Sequence, residues 1–139
     1  MKEFTEAGLP GALGSTDATH VTTWQCEYNL RNNHLGGKLS STTRSFNITV
    51  NHCRRILHST RGGPGRWNDK TMVLFDRFVK GIKDGDHLGD VEFELLERKS
   101  NGDIATEKYK GGYVIVDNGY LRWSATVPPF KVTNVISEI

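Results

Sequence analysis

The chain has 139 residues, 36% hydrophobic and 24% charged, with a formal net charge of +2, which is the size and balance of a single domain. No apolar run approaches the roughly 20 residues of a membrane-spanning helix, and Met1-Lys2-Glu3-Phe4-Thr5-Glu6 lacks the charged-then-apolar layout of a signal peptide, so an intracellular location is expected. The two cysteines, Cys26 and Cys53, form no CxxC and have no histidine pair at zinc spacing, so both are expected to be reduced, buried thiols.

Residues 1–9 show no periodicity and read as a lead-in ending at Pro10-Gly11. Ala12 to Val21 is extended in character, its small residues suited to a crowded central strand. Residues 25–43 are polar, with Asn32-Asn33 and Gly36-Gly37, and predict a long loop. From Arg44 to Asn51 the period is two, which places Phe46, Ile48 and Val50 on the core face. The turn Asn51-His52-Cys53-Arg54 and a second strand over 55–60 complete a hairpin. The Asn47-Ile48-Thr49 sequon falls inside this strand and is not read as a glycosylation site.

Beyond the breaker Gly62-Gly63-Pro64-Gly65, Asn68-Asp69 predicts a helix N-cap, Asp69 being read as a capping residue. Phe75, Phe78, Val79 and Ile82 then recur at helical spacing to about Lys83, and Asp84-Gly85-Asp86 ends the helix. An inserted β-hairpin is expected around 91–110, with its turn at Ser100-Asn101-Gly102-Asp103. Tyr113-Val114-Ile115-Val116-Asp117 reads as a strand buried on both faces. The order predicts an α/β fold, a mixed sheet with a helix over one face.

Charge is unevenly spread. Arg31, Lys38, Arg44, Arg54, Arg55, Arg61, Arg66 and Lys70 face only Asp69 between 31 and 70, a net of +7, whereas 84–107 carries a net of −6. A basic block of this kind suits a polyanion, while the acidic block reads as a solvated face. The loop from Arg61 to Arg66 is Gly-rich but lacks the lysine and hydroxyl residue of a P-loop, so it reads as a phosphate contact, not a nucleotide site. Trp24, Trp67 and Trp123 are expected in core or turn packing, with no aromatic interleaving of the basic block, and His20 in a structural hydrogen bond.

Asp17 and Asp117 each end a run of apolar or small residues just before a turn. Such an aspartate is either a turn residue or half of a metal site. Two carboxylates on neighbouring strands repel, and a cation between them relieves the repulsion. Hard oxygen ligands suit Mg²⁺ or Mn²⁺, and such ions serve phosphodiester cleavage.

The run Gly14-Ser15-Thr16-Asp17-Ala18-Thr19-His20 resembles the first catalytic motif of PIF/Harbinger-type DDE transposases, Gly-x-x-Asp-x-Thr-His. Arg54-Arg55-Ile56-Leu57 and Gly63-Pro64-Gly65-Arg66-Trp67-Asn68-Asp69-Lys70-Thr71 resemble the middle of that family, and Asp117-Asn118-Gly119-Tyr120 its second motif, Asp-x-Gly-Tyr. The resemblance runs in order from Pro10 to Pro129 and includes the subgroup called plant transposon protein or DDE superfamily endonuclease. It implies a ribonuclease H-like fold with Asp17 on the first strand and Asp117 on the fourth, which pairs with the first. It also implies Mg²⁺- or Mn²⁺-dependent cutting and rejoining of DNA at transposon ends, with Asp17 and Asp117 as the catalytic and metal-ligating acids. Arg54, Arg55, Arg61, Arg66 and Lys70 would bind DNA, the location would be nuclear, and a separate DNA-binding protein could act as partner.

The family's third acid lies on a helix several dozen residues past the second, whereas 22 residues follow Asp117 here, and Glu138 among them does not fit the third motif. The expectation is therefore a partial catalytic domain over 10–139, truncated after the fourth core strand, binding metal weakly if at all and inactive alone. The alternative is a non-catalytic, domesticated module that holds DNA or a protein through residues 31–70.

Overall fold

The alternating patterns of the sequence assemble into an α/β architecture around one mixed sheet, in a computed structural model that describes residues 1–35 and 41–129. Lys38 and Glu138 lie outside the described residues. The central strand, β1 (Ala12–Thr22), needs its small residues, because a Cβ at Gly14 would lie 2.1 Å from the Val50 carbonyl oxygen. β2 (Thr43–Val50) runs antiparallel to it, from Ser15 opposite Val50 to Thr22 opposite Thr43. β3 (Ile56–Ser59) completes the expected hairpin, and β4 (Gly63–Pro64) pairs with the start of β2. In the hairpin turn the Asn51 carboxamide oxygen accepts from the amides of Cys53 and Arg55 at 3.0 and 2.9 Å, which supports Arg54 at φ 62°.

The hairpin of β5 (Glu92–Arg98) and β6 (Ile104–Lys110) forms its own two-stranded sheet, as the 91–110 pattern predicts. Phe93 anchors it, packing on the Tyr109 and Tyr113 rings and over Gly11, where a Cβ would meet the Phe93 ring at 2.4 Å. β7 (Tyr113–Ile115) then lies parallel to β1, and β8 (Thr126–Val127) lies parallel to β7. The sheet order is β3-β2-β1-β7-β8. β8 forms the edge of this sheet beyond β7. β8 has only two residues and no pattern of its own, and it is fixed by Val114 N–H donating to Ala125 O and Val116 N–H to Val127 O.

Four expectations are corrected. The lead-in contains a short helix, α1 (Lys2–Glu6), whose Phe4 meets the His52 ring edge-on. The loop over 25–43 contains a 3-10 turn (Tyr28–Leu30) and a short α2 (Arg31–His34). The single helix from Asn68 is two, α3 (Asp69–Leu74) and α4 (Arg77–Asp84), because Asp76 starts a new one. Its carboxylate accepts from the amides of Phe78 and Val79 at 2.9 and 3.1 Å, a capping arrangement that competes with continued winding. Cys53 is exposed rather than buried, its thiol 2.9 Å from His52 Nε2.

The core lies between α3–α4 and the sheet: Val73, Val79 and Ile82 pack on Val114, Val116, Tyr120 and Ala125. Here the period of β2 is as expected but its orientation is reversed. Thr43, Ser45, Asn47 and Thr49 are the buried residues, and Phe46, Ile48 and Val50 are half-buried on the other face. A polar face can be buried only when its groups are paired. Each is: Thr49 with Thr16 at 2.8 Å, Ser45 with Pro64 O at 2.9 Å, Thr43 with His20 at 3.2 Å, and Asn47 with both Asp76 and Tyr120 at 2.6 Å.

Candidate metal and nucleic-acid site

Parallel pairing sets the height of the two aspartates. Ser15 is level with Ile115, the last residue of β7, and each aspartate follows two residues on, Asp17 within β1 and Asp117 past the end of β7. Neighbouring strands lie about 4.8 Å apart, and equivalent residues on them share a face. Both aspartates are exposed on that face, whereas Val114 and Val116 point into the core. Each is oriented by a local amide: Asp17 Oδ1 accepts from Ala18 N–H, and Asp117 Oδ1 from Gly119 N–H, both at 2.8 Å. The second of these is an Asx turn, the bland role that the sequence left open.

A third carboxylate joins them that sequence reasoning assigned elsewhere. The cap of α3 is Asn68, whose side chain accepts from Thr71 N–H at 2.9 Å. Asp69, in the first turn, is turned instead toward Gly119, where a Cβ would lie 2.5 Å from Asp69 Oδ2 and 3.0 Å from Asp117 Oδ1. Only glycine leaves room for both carboxylates there. The capping rule hid this residue, since Asn68 and Asp69 are both good caps and sequence alone does not choose between them.

Tyr120, buried beneath this cluster, responds to all of it. Burial raises its phenol pKa first, and the negative charges of Asp17, Asp69, Asp117 and Asp76 raise it further. The phenol is thus held as a donor, and its O–H donates to Asn47 Oδ1 at 2.6 Å. Asn47 Nδ2 donates in turn to Asp76 Oδ2 at 2.6 Å, and His58 Nε2 stands 3.5 Å from Asp76 Oδ1. A polar chain therefore runs from Tyr120 through Asn47 and Asp76 to His58.

The carboxylates of Asp69 and Asp117 come close to each other beside Gly119, and hard oxygen donors of this kind are the type that Mg²⁺ or Mn²⁺ takes. Among the described residues, no group of three or more His, Cys, Asp or Glu side chains converges closely enough to form a metal cage.

The basic residues do not form one patch. Arg54, Arg55, Arg61, Arg66 and Lys70 are all exposed, and none makes an ion pair among the described residues. The extended β3 separates Arg54 and Arg55, at the hairpin turn, from Arg61 and Arg66 at the opposite end. Trp67 stacks on Phe75 at 4.6 Å between the ends of this second group, so aromatic rings do interleave with basic residues there. Trp24 is 96% exposed, contrary to the packing role expected of it, while Trp123 packs against the core as expected. His20 takes the structural role, bonded to the Thr43 hydroxyl.

Comparison with protein-family models, curated proteins and solved structures found no match to the chain. No helix among the described residues is long and apolar enough to cross a membrane.

Proposed function

We propose that this chain carries the first two ligands of a divalent-metal-dependent, DNA-cleaving core of ribonuclease H-like type, related to the Harbinger transposases, and that residues 1–139 alone bind the ion weakly and do not cut. The observation that carries this reading is the parallel pairing of β1, which bears Asp17, with β7, which leads into Asp117. The sheet path β3-β2-β1-β7-β8, with β1, β7 and β8 parallel and β2 antiparallel, supports it. So does the ordered resemblance of Gly14–His20 and Asp117–Tyr120 to the family's two motifs. Nuclear location and a separate DNA-binding partner belong to the same proposal.

In this reading Asp17 and Asp117 hold Mg²⁺ or Mn²⁺, which when bound lowers the pKa of an attacking water and stabilises the leaving oxygen. The chain's own residues supply geometry and charge. Ala18 and Gly119 amides fix the two carboxylates, and Asp69 adds negative potential beside Asp117. Tyr120 stays protonated under them and ties the site to the core.

Incubating purified 1–139 with supercoiled plasmid and Mg²⁺ or Mn²⁺ tests the inactivity. The expected result is no nicking above buffer. A metal-dependent nick that disappears in Asp17→Ala would show that these residues suffice, and would overturn that part of the proposal.

A second reading, a non-catalytic module that binds through 31–70, is favoured by the five exposed cations lacking acidic partners among the described residues. DNA affinity that falls steeply with salt, in the absence of divalent metal, is its expected signature. No gel shift at low salt would eliminate its DNA form.

A further inference from the structure

A cavity of about 540 Å³ opens between the end of β3, the Gly-rich loop before α3, and the junction of α3 with α4. Its size lies within the range of small-ligand pockets. One wall is nearly bare backbone: Gly62 and Gly63 approach so closely that a Cβ on Gly63 would lie 2.8 Å from the Trp67 ring. Trp67 and Phe75 stack at 4.6 Å with an angle of 15° between planes, yet Phe75 remains 63% exposed. The open face of that ring offers a flat apolar surface on which a planar group can stack. Arg61 and Arg77 line the same cavity, and neither makes a hydrogen bond or ion pair among the described residues. Two unpaired guanidinium groups beside an exposed aromatic ring complement a phosphate joined to a planar base.

We infer that this cavity takes one nucleotide of a DNA strand, its base stacking on Phe75 and its phosphate held by Arg61 and Arg77. The identification of the strand as DNA rests on the function proposed above. The placement agrees with that reading: α3 has Asp69 in its first turn, beside Asp117, and Phe75 just past its last. Its six residues span about 9 Å, a distance that the backbone of a single strand crosses within a few nucleotides. A strand that crosses the aspartates can therefore place a neighbouring, unstacked base in the cavity. The cavity thus gives the chain a way to grip single-stranded or distorted DNA.

The test is fluorescence anisotropy of a labelled single-stranded DNA oligonucleotide in EDTA, so that failure of the metal site leaves the result untouched. A matched oligonucleotide with abasic central positions serves as the second probe. Phe75→Ala should weaken binding of the intact strand about five- to tenfold and leave the abasic strand unchanged. Arg61→Ala with Arg77→Ala should weaken both strands alike and lower the slope of log K against log salt by about 1.4, two phosphate contacts' worth for a single strand. Phe75, Arg61 and Arg77 are all exposed, so circular dichroism of each variant should match the parent. Equal binding of intact and abasic strands by the parent would overturn the proposal, as would a Phe75→Ala variant that binds the intact strand undiminished.

Discussion

Tyr120 reads the charge of the candidate site more directly than any aspartate does, because its hydroxyl is buried beneath three of them. An ordinary tyrosine ionises near pH 10, and burial with the surrounding aspartates raises the Tyr120 pKa above that value. The unfolded chain therefore loses this proton first. The residue's contribution to stability is complete below about pH 10 and is lost as pH rises above it, at up to about 1.4 kcal/mol per pH unit. Tyr113 is raised in the same direction by burial, so the comparison must be with a variant. In urea unfolding from pH 8 to 11, Tyr120→Phe should decline less steeply above pH 10 than the parent. At pH 8 it should be about 1–2 kcal/mol less stable, since Asn47 Oδ1 loses its donor. Asp117 stands before a turn as its sequence position predicts, whereas Asp17, expected before a turn too, lies in the middle of β1. Asp69 was not legible, because nothing in Trp67-Asn68-Asp69 says which of two good caps folds back on the helix and which is left to face Gly119.

At the scale of elements, the strands were legible from their period and misread in their facing. Phe46, Ile48 and Val50 are the obvious core choice by hydrophobicity, yet the helices cover Thr43, Ser45, Asn47 and Thr49. The signal that decides this is non-local: Asp76 and Tyr120 arrive from 29 and 73 residues away to pair with Asn47. Asp76 also breaks the helix that Phe75, Phe78, Val79 and Ile82 predicted to be continuous, by capping α4. Asp76→Ala removes that cap and leaves Asn47 Nδ2 buried without an acceptor, so a loss of about 2–4 kcal/mol is expected by urea unfolding. Asp76→Asn can keep the cap through its one carbonyl oxygen but sets its NH2 against Asn47 Nδ2, so it should recover only the capping share of the loss. Gly14→Ala is expected to be worse than ordinary strand substitutions, because its Cβ would overlap the Val50 carbonyl and force β1 from β2. Its measure is a thermal midpoint lowered by at least about 8 °C, or failure to fold.

At the scale of the whole molecule, local signals gave one of the four pairings along the sheet path, β2 with β3, and the separate β5–β6 hairpin, since adjacent antiparallel strands need only a turn. The parallel pairing of β1 with β7 was supplied by resemblance, and β8 by neither, for a two-residue strand has no period to read. The acidic stretch is the solvated face expected of it. Lys108–Glu94, Lys99–Glu107 and Lys110–Asp90 pair at 3.7 Å on exposed surface, where such bridges contribute little. Replacing residues 96–106 with a two-residue turn, while keeping Phe93 and Tyr109, should therefore move the thermal midpoint by no more than about 4 °C, by calorimetry. The central claim concerns the two aspartates, Asp17 on β1 and Asp117 just past the end of β7. Mn²⁺ binding by electron paramagnetic resonance, with parent, Asp17→Asn and Asp117→Asn chains, tests it directly. The account predicts one weak site, of submillimolar to millimolar affinity, lost in either variant while the fold is retained. Mn²⁺ bound equally by all three chains, or not bound by the folded parent at millimolar metal, would contradict it.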